Sequence, residues 1–104
     1  MPAKHITSDA FDKEVLQAER RTLIDFYADW CGPCRAMGPV VDELAGEVGG
    51  EANVVKVNID DAPEIASRYG VSSIPTFVVV RDGETAGALV GVQSKQALAS
   101  AIAG

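Results

Sequence analysis

Thr22-Leu23-Ile24-Asp25-Phe26-Tyr27-Ala28-Asp29-Trp30-Cys31-Gly32-Pro33-Cys34 leads a largely apolar strand, Thr22–Ala28, directly into the only two cysteines of the chain. Beyond them Met37, Val40, Val41, Leu44, Ala45 and Val48 recur at three- and four-residue steps up to Gly49-Gly50. That spacing predicts a helix buried along one face and closed by glycine. Pro39 falls early in this helix and removes one backbone bond, to the carbonyl of Arg35, which predicts a kink.

Two cysteines placed at random in 104 positions would stand three apart about 2% of the time, so the spacing asks for a chemical reason. A structural disulfide would close a loop too short to constrain the unfolded chain much, and it is unusual in a reducing cytosol. A structural zinc needs four ligands, but there is no third cysteine and the single histidine is His5, so no metal is expected. Two unrelated core thiols fit poorly with the Gly32-Pro33 between them. A redox dithiol explains the spacing. A thiolate that attacks a disulfide forms a mixed disulfide, which a second thiol within reach must resolve. With Cys31 at a helix N-terminus and Cys34 one turn in, the sulfurs can meet, and the helix dipole stabilises the Cys31 thiolate. Spacing alone favours the dithiol and leaves the other three readings open.

The rest of the chain suits one soluble domain, 1–104. With 47% hydrophobic and 23% charged residues it has enough apolar mass for a core and is not a disordered chain. Nine Lys plus Arg against fifteen Asp plus Glu give a net charge of −6, which supplies no basic patch for a nucleic acid. No stretch approaches the roughly 18–20 apolar residues of a membrane span. Met1-Pro2-Ala3-Lys4-His5 lacks the charged-then-apolar layout of a secretion signal. A cytoplasmic monomer is therefore the expectation.

Further elements follow from local signals. A short strand is predicted near Lys4–Thr7, then a helix capped by Thr7 or Ser8 with Phe11, Val15 and Leu16 as its stripe. Val54–Ile59 reads as a strand. Asp60 or Asp61 then caps a short helix that holds Pro63 in its first turn and ends at Gly70. Thr76–Val80 and Thr85–Val90 flank Asp82-Gly83, a strong hairpin signal. Ser94 caps a last helix carrying Leu98, Ala101 and Ile102. The order βαβαβαββα requires parallel strands with helical crossovers plus an antiparallel hairpin, hence an α/β domain with a mixed sheet covered on both faces.

Several residues sit oddly in that frame. Asp25 interrupts an apolar strand. If buried without hydrogen bonds its pKa would rise, making it a proton acceptor for a neighbouring thiol. If the strand is half exposed it simply faces water, and the sequence weighs the two evenly. Lys56 poses the same question on the next strand, as a solvated lysine or as a partner titrating with Asp25. Pro75 opens a strand, where a trans bond is the default. Trp30 is either core or the frame of a contact surface. His5 reads as a surface or strand-end residue, and Arg20-Arg21 as a solvated loop.

Taken together, Asp25-Phe26-Tyr27-Ala28-Asp29-Trp30-Cys31-Gly32-Pro33-Cys34, Lys56 with Asn58-Ile59-Asp60, Tyr69-Gly70-Val71, Ile74-Pro75-Thr76, Asp82-Gly83 and Gly91 resemble the thioredoxin family over the whole chain. The resemblance implies the thioredoxin fold, a central five-stranded mixed sheet flanked by four helices. It implies a protein-disulfide reductase in which Cys31 is the nucleophile and Cys34 resolves the mixed disulfide. Asp25, buried beneath the site, would accept the Cys34 proton, coupled to Lys56. It further implies a cis Pro75 and an apolar docking surface of Trp30, Gly32, Pro33, Ile74, Pro75, Gly91 and Val92. It implies no bound cofactor. Electrons are expected from NADPH through a flavoprotein, thioredoxin reductase, and pass to disulfide-containing protein substrates. Tyr27 stands where many members have Trp, Arg35 where Lys is frequent, Ser72-Ser73 where several carry Arg, and Val80 in place of a common Phe. A disulfide oxidase or isomerase of the same fold is an alternative, as is a scaffold role for the reduced domain.

Overall fold

Residues 3–104 are described by the computed structural model, so the signal reading that begins on Met1 and Pro2 lies partly outside the described residues. In chain order they form β1 (Lys4–His5), α1 (Ser8–Phe11) continued by a π-helical turn (Asp12–Leu16), β2 (Arg21–Tyr27) and α2 (Gly32–Val48). Then follow β3 (Ala52–Asn58), α3 (Pro63–Arg68), β4 (Thr76–Arg81), β5 (Glu84–Val90) and α4 (Lys95–Ala103). The sheet runs β1-β3-β2-β4-β5. Helical crossovers make β1, β3 and β2 parallel, and the two-residue turn makes β4 and β5 antiparallel. Asp82 and Gly83 both take positive φ, 53° and 80°, the backbone that lets a tight hairpin follow the twist of its strands.

Alternation along β2 divides the core. Ile24 and Phe26 face α1, its π-helical turn and α3, packing with Phe11, Val15, Val57, Ile65 and Val78. Leu23 faces α2 and α4, packing with Met37, Val41, Leu44, Phe77, Leu98 and Ile102. Each such side chain contributes roughly 1.5–3 kcal/mol by leaving water. Asp25 points to this second face, with Lys56 beside it on β3 and Phe77 on β4.

Local details differ from expectation where side chains found other partners. Neither Asp60 nor Asp61 caps α3: Ala62 occupies the cap position, and the Asn58 carbonyl accepts the Asp61 and Ala62 N–H groups in a tight turn instead. That helix ends at Arg68, two residues before Gly70. Thr7 holds the cap position of α1 but makes no side-chain cap bond. Arg21 is no loop residue. It opens β2 and donates to the carbonyls of Ile102 (2.7 Å) and Ala103 (2.8 Å). Pro39 lies inside α2, which runs unbroken from Gly32 to Val48 and closes at Gly49 with φ 56°. Ser94 caps α4 as expected, accepting from the Ala97 N–H at 3.0 Å.

Candidate active site

Four residues, Ala28 to Cys31, turn the chain from β2 into α2, and the Cys31 N–H closes that turn on the Ala28 carbonyl at 3.2 Å. Cys31 is the cap residue of α2. Its Sγ accepts the Cys34 N–H at 3.3 Å, and its carbonyl accepts the Arg35 N–H at 3.1 Å. Gly32 and Pro33 fill the first helical positions, where the N–H that proline lacks has no intrahelical partner to lose. The two cysteines are joined as a disulfide with Cα atoms 5.2 Å apart. A thiolate at Cys31 would meet the Cys34 N–H and the positive end of a 17-residue helix, both of which favour negative charge.

The two sulfurs have different surroundings. Cys31 opens onto a groove of about 470 Å³ lined by Trp30, Gly32, Pro33, Ile59, Val71, Ser72, Ser73 and Ile74. Cys34 instead borders a separate cavity of about 320 Å³ between α2 and the sheet, shared with His5, Tyr27, Ala28, Asp29, Arg35, Gly38 and Lys56. Trp30 is 67% exposed, and its indole N–H donates to the Asp60 carboxylate at 2.9 Å, fixing the ring at the groove's edge. On the facing side the Ile74 carbonyl oxygen lies 3.8 Å from Cys31 Sγ. The Ile74–Pro75 peptide bond is cis, and Pro75 is buried. Gly91 takes φ 88°, which only glycine adopts freely, and donates its N–H to the Pro75 carbonyl at 2.8 Å.

Of the residues expected to form a docking surface, Trp30, Gly32, Pro33 and Ile74 therefore line one groove. Pro75 sits behind it, while Gly91 and the exposed Val92 belong to the adjoining turn. Ile59, Val71, Ser72 and Ser73 also line the groove, although none of them was expected among the docking residues. Their apolar or small side chains looked like ordinary element ends, and only the fold brings three distant segments together. Asp60 was read as a helix cap and is the partner of Trp30.

Asp25 resolves to the buried alternative. It is 1% exposed, and neither carboxylate oxygen has a hydrogen-bond partner among the described residues. Burial pushes its pKa from 3.8 up to about 6, the positive Lys56 pulls it down, and Asp42 pushes it further up. Lys56 is half-buried in the same cavity as Cys34, with its ammonium 4.8 Å from the centre of the Tyr27 ring. A carboxylate poised near neutrality can take up and release a proton in the range where thiols exchange. No three His, Cys, Asp or Glu side chains cluster as a metal site among the described residues.

The thioredoxin family model matches residues 2–104. A thioredoxin from Rickettsia felis is 43% identical over 96 residues, covering 92% of this chain and 91% of its own. Thioredoxin 1 of Synechococcus elongatus is 44% identical over 100 residues, 96% and 94% of the two chains. The thioredoxin of Pyropia yezoensis is 43% identical over 102 residues, 98% and 95%. The chain belongs to the thioredoxin family. Its five-stranded mixed sheet and four helices are the thioredoxin fold. With the Cys31–Cys34 pair at the head of α2, this thioredoxin-family chain is a dithiol–disulfide reductase acting on disulfide-containing proteins.

Proposed function

We propose that the chain is a general protein-disulfide reductase in which each cysteine has a fixed task. The observation that carries this reading is the unequal placement of the sulfurs, Cys31 on the groove and Cys34 on the cavity behind it. A target segment docks in the groove, with Trp30, Gly32, Pro33 and Ile74 as its apolar walls and Pro75, Gly91 and Val92 supporting or extending them. The Cys31 thiolate attacks one target sulfur. The target disulfide breaks, its other sulfur leaves as a thiolate, and a mixed disulfide forms. Cys34 then loses its proton to Asp25, directly or through water, with Lys56 coupled to that carboxylate. The Cys34 thiolate attacks Cys31, the second target thiolate departs, and two electrons have passed from the dithiol to the target. A flavin-containing thioredoxin reductase drawing on NADPH restores the dithiol. The protein works as a cytoplasmic monomer.

The test is a coupled assay of NADPH, thioredoxin reductase and insulin, read as NADPH oxidation. The wild-type chain is expected to turn over and Cys31→Ser to be inactive. Retained activity in Cys31→Ser would defeat the assignment. Cys34→Ser is expected to accumulate a covalent adduct with a disulfide-bonded protein on a non-reducing gel. No adduct would mean that Cys34 does not resolve it.

A further inference from the structure

Asp25 and Lys56 are direct neighbours across β2 and β3, yet the Lys56 ammonium does not bond the carboxylate. It lies over the face of the Tyr27 ring, 4.8 Å from the centroid, a placement that ring quadrupoles favour. The Lys56 side chain has room to move. The cavity beside Lys56 is about 320 Å³, and at Gly38, on its α2 wall, an added Cβ would meet nothing within 4 Å. The ring itself is fixed from outside. Tyr27 Oη is hydrogen-bonded to His5 Nδ1 at 2.9 Å, and the two rings meet edge to face with centroids 5.8 Å apart. Because β3 lies between β1 and β2, this contact bridges over the strand that carries Lys56.

We propose that Tyr27, oriented by His5, is a positioning residue for disulfide exchange: its ring holds the Lys56 ammonium off Asp25 and leaves the buried carboxylate without a direct ion pair. The inference rests on the reading of Asp25 as the proton acceptor. A direct ion pair would hold the carboxylate ionised and make it a weaker base, whereas an ammonium parked on a neighbouring ring leaves it poised near neutrality. Burial, and next Asp29, push the Tyr27 pKa up, so its hydroxyl stays neutral. The groups that bear on Asp25 are Lys56 from β3 and Asp42 from α2, the helix whose first turn holds Cys34; Phe77 of β4 brings no charge. His5 of β1 reaches Asp25 only through Tyr27 and Lys56.

The test is the Asp25 titration midpoint in the oxidised full chain, read from its carboxyl ¹³C resonance. Tyr27→Leu frees the ammonium and is expected to lower the midpoint by about one pH unit, the effect of a cation brought into contact. In a Lys56→Met background the same change is expected to move it little. An unmoved midpoint in the first case, or an equal shift in both, overturns the proposal. The exposed His5→Ala variant leaves the core intact and is expected to shift the midpoint in the same direction by less. No shift there removes His5 from the arrangement. The midpoint belongs to the folded oxidised protein, so it reports on Tyr27 whether or not Asp25 takes the Cys34 proton. Resolution of the mixed disulfide in Asp25→Asn tests that separate point.

Discussion

Asp25 and Phe26 are consecutive residues of one strand, equally hidden from water, and they face opposite sides of the sheet. On the Phe26 side the buried side chains of the sheet are apolar or, at Thr22 and Thr76, uncharged hydroxyls. On the Asp25 side the same sheet meets α2 with an unpaired carboxylate, a half-buried lysine and a cavity behind Cys34. The lesson is a division of labour. Both faces supply packing, and the Asp25 face gives some stability up to hold a buried titratable group on the side of the sheet that α2 covers.

The widest test of that division is Phe26→Ala. Removing a fully buried ring is expected to cost about 3–5 kcal/mol in urea unfolding, with disulfide reduction per folded molecule unchanged. Lost activity in the folded fraction would mean that the two faces are not separable. Asp25→Leu probes the opposite face. Asp25 binds its proton more tightly when folded, with a pKa near 6 against 3.8, so its stabilising contribution is complete below pH 3.8 and lost as pH rises through 6. That loss amounts to about 3 kcal/mol, so the stability of Asp25→Leu relative to wild type should be greater by about that much at pH 7 than at pH 3.5. A gain equal at both pH values would show that ionisation is not its source. The smallest effect is expected at α4, which covers this face away from the dithiol. Ser94→Ala removes the cap bond and should cost about 1 kcal/mol, leaving the pH dependence of stability as it was. A changed pH profile would tie α4 to the carboxylate and redraw the boundary.

The chain's local chemistry made some of this readable in advance. Cysteine spacing, the stripe from Met37 to Val48, the turn at Asp82-Gly83 and the cap at Ser94 each follow from interactions within a few residues, and so does the element order. Whether Asp25 is buried depends on α2 lying over it, which no window on β2 contains. The same is true of the groove: Trp30, Ile59 and Ile74 converge only after two crossovers. The Asn58-centred turn replaces the expected cap of α3, and a π-helical turn continues α1 after Phe11, because tertiary packing overrode weak local preferences. His5 and Tyr27, 22 positions apart, give no sign in the sequence that they touch.

The groove and the cavity meet different residues at the head of α2, Cys31, Gly32 and Pro33 for the groove and Cys34 and Arg35 for the cavity. A partner seated against Cys31 covers one mouth and leaves the other in contact with solvent. On the proposed mechanism the Cys34 proton and the docked protein therefore use separate openings. Such a site would need no flap that opens and shuts between chemical steps, and a bulky, irregular client would not have to leave before the proton released behind it reached solvent.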